Sequence, residues 1–152
     1  MRKLFALLIV IGMSCSETDV ADPTIVPLIG SSCDEEIDAP DPCPDEIVCQ
    51  LSYLAISVKV VDGDGEPVIL DETELRDLNT GEVLEVDAFV EPEFGYVIAE
   101  DYMTDFLPRE GHCLQLTGYI NGQLALQYSF LVGHDCCHVI VLAGPDTLTL
   151  TI

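Results

Sequence analysis

"HCLQLTGYINGQLALQYSFLV", His112 to Val132, decides the fold. Asn121–Gly122 sits between two runs in which apolar residues recur at every second position, which is the signal of a β-hairpin. The apolar sets are Leu114, Leu116 and Ile120 on one side of the turn and Leu124, Leu126, Tyr128 and Phe130 on the other. A plain two-residue turn pairs residue 120 with 123 and puts those sets on opposite faces. One extra residue restores a common face. The parity therefore predicts a three-residue loop with a bulge and a left-handed Gly122. With a simple type I′ turn, the core would lie on the Tyr119 side instead.

The same period of two extends outward from the hairpin. In "YLAISVKVVD" (Tyr53 to Asp62), Leu54, Ile56, Val58 and Val60 alternate with Ala55, Ser57, Lys59 and Val61. "DGDG" (Asp62 to Gly65) then supplies turn chemistry. "EPVIL" reads as a short strand with Pro67 at an edge or start. "LNTGEVLEV" gives a turn at Asn79–Gly81, and "FGYVIAED" alternates through Phe94, Tyr96 and Ile98. "CHVIVLA" and "TLTLTI" complete seven or eight strands. No segment has a convincing period of 3.6, although Asp71–Leu78 is compatible with one helical turn. The expected fold is all-β, a disulfide-stapled antiparallel β-sandwich. "AEDYMTDF" (Ala99 to Phe106) reads as a long connection.

"ISVKVVDGDGEPV…LNTGEV", Ile56 to Val83, resembles the opening of transthyretin-like or carboxypeptidase-regulatory-like domains. There a first strand runs into an Asp-x-x-Gly-x-Pro-Val turn, and a later turn reads Asn-Thr-Gly. The resemblance covers about a fifth of the chain and implies an Ig-like sandwich serving as a non-catalytic accessory or adhesive module. Fold alone does not fix function.

The N-terminus gives an address. Arg2 and Lys3 precede an unbroken apolar run, Leu4 to Ile11, which is too short to span a bilayer and has the form of an export signal. Gly12, Met13, Ser14 and then Cys15 resemble the signal of a bacterial lipoprotein, although Gly12 stands where that family carries a larger aliphatic residue. The resemblance implies cleavage before Cys15 and lipid on its new N-terminus. The division is then a signal over 1–14, an acidic Pro-rich tether over 15–45 and a β domain over 46–152. The protein would be held at the outer membrane, at its periplasmic face or at the cell surface, through the lipid on Cys15.

Without the signal, Lys59, Arg76 and Arg109 face 28 acidic residues, a net charge of −25. Nucleic acid and anionic head groups are repelled by such a chain. Charge alone names no partner, and the partner classes left open are a protein or a glycan.

Beyond Cys15 there are six cysteines: Cys33, Cys43, Cys49, Cys113, Cys136 and Cys137. An exported chain meets an oxidising compartment, so three disulfides are expected. Adjacent strand residues face opposite ways, so Cys136 and Cys137 take different partners. Cys33–Cys43 reads as a local staple, leaving Cys49 and Cys113 for Cys136 and Cys137 in either order.

The competing reading of "GHDCCHV" is zinc or copper on His134, Cys136 and His138, joined by His112 if its strand is adjacent. The spacing is unlike a zinc knuckle, and no cofactor is expected. No Cys-x-x-Cys pair and no Gly-x-Ser-x-Gly elbow is present. An enzyme with an unrecognised site is the weakest reading. "DGDG" lacks the remaining ligands of an EF-hand loop.

Overall fold

The computed structural model describes residues 25–38, 41–49, 52–86 and 94–152. Among them the chain is all-β, with nine strands and one short 3-10 helix, Asp101–Asp105. The strands are β1 (Leu28–Ser31), β2 (Ala55–Val61), β3 (Glu72–Asp77), β4 (Val83–Leu84), β5 (Tyr96–Glu100), β6 (His112–Ile120), β7 (Gln123–His134), β8 (Val139–Ala143) and β9 (Thr147–Thr149). The larger sheet runs β1-β7-β6-β3-β4, with β8 also on β7, and the smaller runs β5-β2-β9. Both are mixed rather than antiparallel, because β1 lies parallel to β7 and β9 parallel to β2.

The central hairpin corrects the expected device and keeps its consequence. Ile120 pairs with Gln123, so the turn has two residues. Asn121 and Gly122 both have positive φ, 51° and 72°, as a type I′ turn requires. The extra residue lies inside β7. Tyr119 pairs with Leu124 but Gly118 pairs with Leu126, which leaves Ala125 as a bulge. From there Leu116 faces Tyr128 and Leu114 faces Phe130. A simple turn and a common apolar face therefore coexist, and the core is on the Leu114 side.

One core draws on both sheets. Val58, Val60, Tyr96, Ile98 and Leu148 of the smaller sheet join Leu75, Leu114, Leu116, Leu126 and Phe130 of the larger. A fully buried side chain of this kind stabilises by about 1.5–3 kcal/mol relative to exposure. Tyr128 packs on Phe130 with ring centroids 5.0 Å apart. The Tyr128 ring also covers Gly30 of β1, where an added Cβ would stand 2.5 Å from its Cε2. Glycine is required there because the ring takes the space.

Four sequence expectations change. Pro67 makes only an isolated bridge with Val61, so "EPVIL" is not a strand, although Val68 and Leu70 are buried. Asp71–Leu78 holds β3 rather than a helical turn. "AEDYMTDF" forms the end of β5 and the 3-10 helix, whose Met103 is fully buried. The stretch read as tether also contributes to the fold. Leu28–Ser31 is a strand of the larger sheet, and Cys33 and Cys43 are bonded to its far end. Four residues beside Pro27 give too short an alternation to register as a strand. Cys15 and residues 1–24 lie outside the described residues.

Candidate functional site

The register defines two poles. The Asn121–Gly122 turn and the end of β2 mark one. At the other are the starts of β6 and β8, the ends of β3 and β7, and the 3-10 helix. The chemistry-bearing residues collect at this second pole.

Its covalent frame is three disulfides, Cys33–Cys113, Cys43–Cys136 and Cys49–Cys137. The expected Cys33–Cys43 staple is not formed. Each cysteine of the 33–49 segment instead reaches about 80–90 residues along the chain, at separations of 80, 93 and 88. Cys136 and Cys137 do take different partners, but not from a strand. They sit in the loop between β7 and β8, where Cys136 has φ 88°. Asp135 organises that loop. Its Oδ1 accepts the N–H groups of Cys137 (3.0 Å) and His138 (2.8 Å), and its own N–H bonds to the His138 carbonyl. The bonds from the Cys137 and His138 amides hold the Asp135 carboxyl below the ordinary range.

The three histidines do not converge. His134 Nδ1 accepts the Cys136 N–H at 3.1 Å. His138 Nδ1 pairs with Asp101 Oδ2 at 2.8 Å. His112 Nδ1 pairs with Asp77 Oδ2 at 2.6 Å. Cys136 is bonded to Cys43 and offers no thiolate. Among the described residues no three His, Cys, Asp or Glu side chains are grouped to hold a metal ion. The bridged cysteines likewise supply no nucleophile.

Sequence reading missed the two aspartates that hold these histidines. Asp101 joins three elements: besides His138 it accepts the Leu54 N–H (2.7 Å) and the Val139 N–H (3.1 Å). Desolvation acts to raise its pKa, but the bonds from His138 and the two amides outweigh it and hold the carboxyl below its ordinary value. Asp77 is 1% exposed. Its Oδ1 accepts the amides of Asn79 (2.8 Å) and Thr80 (3.3 Å), which shapes the β3–β4 turn. Asn79 Oδ1 in turn accepts the Cys113 N–H, tying the turn to β6. The Asn-Thr-Gly signal located the turn but not the carboxylate beneath it.

Two cavities flank β4. One, of about 650 Å³, opens between the β3–β4 edge and β5, with Glu72, Glu85, Tyr53 and Tyr102 in its wall. The other, of about 480 Å³, is lined by the Asp77–His112 pair, Glu82, Glu85, Tyr102 and Phe106. Comparison with protein-family models, curated proteins and solved structures finds no match to this chain.

Proposed function

We propose that the protein is an exported, lipid-anchored envelope module that binds or supports a partner and performs no catalysis. The observation that carries this is the set of three long-range disulfides. Each ties the 33–49 segment to the far pole, and bridges of this kind persist in oxidising compartments. The signal-like Arg2 to Ser14 stretch and Cys15 agree with that address. An Ig-like or transthyretin-like sandwich is the finer fold reading, supported by the shared core and by the Asn79–Gly81 turn.

Lipid on Cys15 would fix the module to the outer membrane. The chain enters the fold at Ile25, and β1 pairs with the beginning of β7. A protein or glycan of the envelope is the partner class proposed, and a charge of −25 disfavours nucleic acid.

Metabolic labelling with tritiated palmitate tests the anchor. The wild-type chain should take up label and fractionate with outer membranes, and Cys15→Ala should do neither. Equal labelling of the two, or recovery of wild type in the soluble fraction, refutes the proposal. Mass spectrometry of the alkylated, unreduced protein should find no free thiol among the six bridged cysteines.

A further inference from the structure

The stretch "DPCPDEIVC", residues 41–49, is joined to the domain by covalent bonds and by little else. Every residue in it is exposed, Val48 at 94%, and none belongs to a strand or helix. Among the described residues it makes no backbone hydrogen bond. What holds it is the pair of bridges Cys43–Cys136 and Cys49–Cys137. The two lie side by side. Cys49 Sγ is 3.7 Å from the carbonyl oxygen of Cys136, the residue whose own sulfur is bonded to Cys43.

Everything around this stretch is held without the two bridges. Before it, the Ser32 N–H bonds to the Ser129 carbonyl and the Cys33 N–H to Ser31 Oγ, so Cys33 leaves the sheet edge in a fixed place. Its partner Cys113 is a β6 residue whose N–H is taken by Asn79 Oδ1 at 2.8 Å. After it, the Leu54 N–H is taken by Asp101 and β2 begins at Ala55. The loop between β7 and β8 is shaped by its own bonds. Asp135 Oδ1 accepts the amides of Cys137 and His138, and His134 Nδ1 accepts that of Cys136. Opening the two bridges therefore frees residues 41–49 and leaves the sheets, the loop and Cys33–Cys113 in place. The exposed sulfurs of Cys43 and Cys49 are also the ones an external thiol reaches.

We propose that residues 41–49 are a redox-released strap, and that one dithiol opens both of its bridges. The dithiol, an envelope dithiol reductase in the cell, attacks Cys49–Cys137 and leaves as its own disulfide. Two electrons and two protons pass to the protein, giving thiols on Cys49 and Cys137. The Cys49 thiolate then attacks Cys43 of the neighbouring bridge. The Cys43–Cys49 bond forms, the Cys43–Cys136 bond breaks, and Cys136 leaves as a thiolate that takes a proton from water. This second step consumes no reductant. Starting at Cys43–Cys136 leads to the same product. The alternative product, a Cys136–Cys137 bond, is disfavoured because adjacent Cα atoms are about 3.8 Å apart and a disulfide spans about 4.4–6.8 Å. Cys43 and Cys49 are close in sequence, so each thiol is at a high effective concentration toward the other. Release also gains chain entropy, with no hydrogen-bonded contact of the strap to oppose it. An oxidising compartment closes the bridges whether or not Cys15 carries lipid, so failure of the anchor leaves the strap standing.

Dithiothreitol is the probe. The full exported protein, held in detergent, receives one equivalent at mildly alkaline pH, is quenched with acid and is alkylated. Peptide mapping without further reduction then locates the alkyl groups. The species that gains two of them should carry them on Cys136 and Cys137, with Cys43 bonded to Cys49 and Cys33 still bonded to Cys113. In a nitrogen-15-labelled sample, amide signals from residues 41–49 should collapse to unstructured positions. Those of Leu114, Leu116 and Phe130 in the central hairpin should stay dispersed.

The variant Cys43→Ser/Cys136→Ser has no second bridge to exchange with. The same treatment should place its two alkyl groups on Cys49 and Cys137. Wild type labelled in that pattern, or on Cys43 and Cys136, overturns the exchange. Opening of Cys33–Cys113 before the other two overturns the proposal as well. So does loss of the dispersed hairpin signals in the two-thiol species, because the bridges would then hold the domain rather than a strap.

Discussion

Removing the bridges Cys43–Cys136 and Cys49–Cys137 singly and together should reveal that they act as one clamp. Taken alone, each closes a loop of about 90 residues, with separations of 93 and 88. On the chain-entropy estimate, 2.1 + 1.5R ln n cal/mol/K, an isolated loop of that size contributes about 4.6 kcal/mol. Neither is isolated. Five residues lie between Cys43 and Cys49, and Cys136 adjoins Cys137, so either bridge beside the other closes a ring of only about eight residues. Loss of one therefore costs about 2.5 kcal/mol. Once one is gone, the survivor closes a larger ring with Cys33–Cys113. Ten residues on one arm and 23 on the other give a loop of about 33 and a contribution of about 3.7 kcal/mol.

The variant lacking both bridges should thus lose about 6 kcal/mol, roughly 1 kcal/mol more than the two single losses added. The variants are Cys49→Ser/Cys137→Ser, Cys43→Ser/Cys136→Ser and all four together. Urea unfolding of each, purified without reductant, gives the midpoint and slope. The slope should rise most in the quadruple variant, whose denatured chain is least constrained. Additive losses, or a single loss above about 4 kcal/mol, would show that the bridges constrain separate long loops and would refute the clamp.

Other expectations follow from the same contacts. Asp101 and Asp135 have carboxyls below the ordinary value of 3.8, so their stabilisation is complete above that pH and is lost as pH falls through the depressed values. Wild type should lose midpoint urea concentration steeply below about pH 4, and Asp101→Asn, less stable at pH 7 by about 1–3 kcal/mol, should lose less over that interval. An equally steep acid limb in Asp101→Asn would contradict the assignment. Phe130→Ala empties a fully buried site and should cost about 3–5 kcal/mol in the same unfolding assay. Deleting Ala125 removes the bulge but leaves Gly118 opposite Leu126, Leu116 opposite Tyr128 and Leu114 opposite Phe130, so the apolar face is kept and a cooperative thermal transition should remain. Loss of the cooperative transition would count against Ala125 as the extra residue of β7.

Local sequence determined those features whose causes lie within a few residues. Val58 and Val60 fall on one face of β2 because side chains alternate along a strand, and both are buried. Asn121–Gly122 makes the tight turn because both residues tolerate positive φ. The parity of Leu114, Leu116, Leu126 and Phe130 required one extra residue between the two arms, and there is one. Its position at Ala125, rather than in the loop, depended on how β7 meets Gly118 and the core, which the local pattern does not contain.

Tertiary structure decided the remainder. The even number of cysteines pointed to three bridges, but which sulfurs meet depends on where chain segments 80–93 residues apart come to rest. β1 lies in a Pro-flanked stretch of four residues, and only the free edge of β7 gives it a place in the sheet. His112 and His138 looked like ligands beside cysteines. Their aspartates lie 35 and 37 residues away, at a distance set by the pairing of β3 with β6 and by the 3-10 helix after β5. A side chain's type is carried by the local chain, whereas its hydrogen-bond partner is fixed only when distant segments share a core.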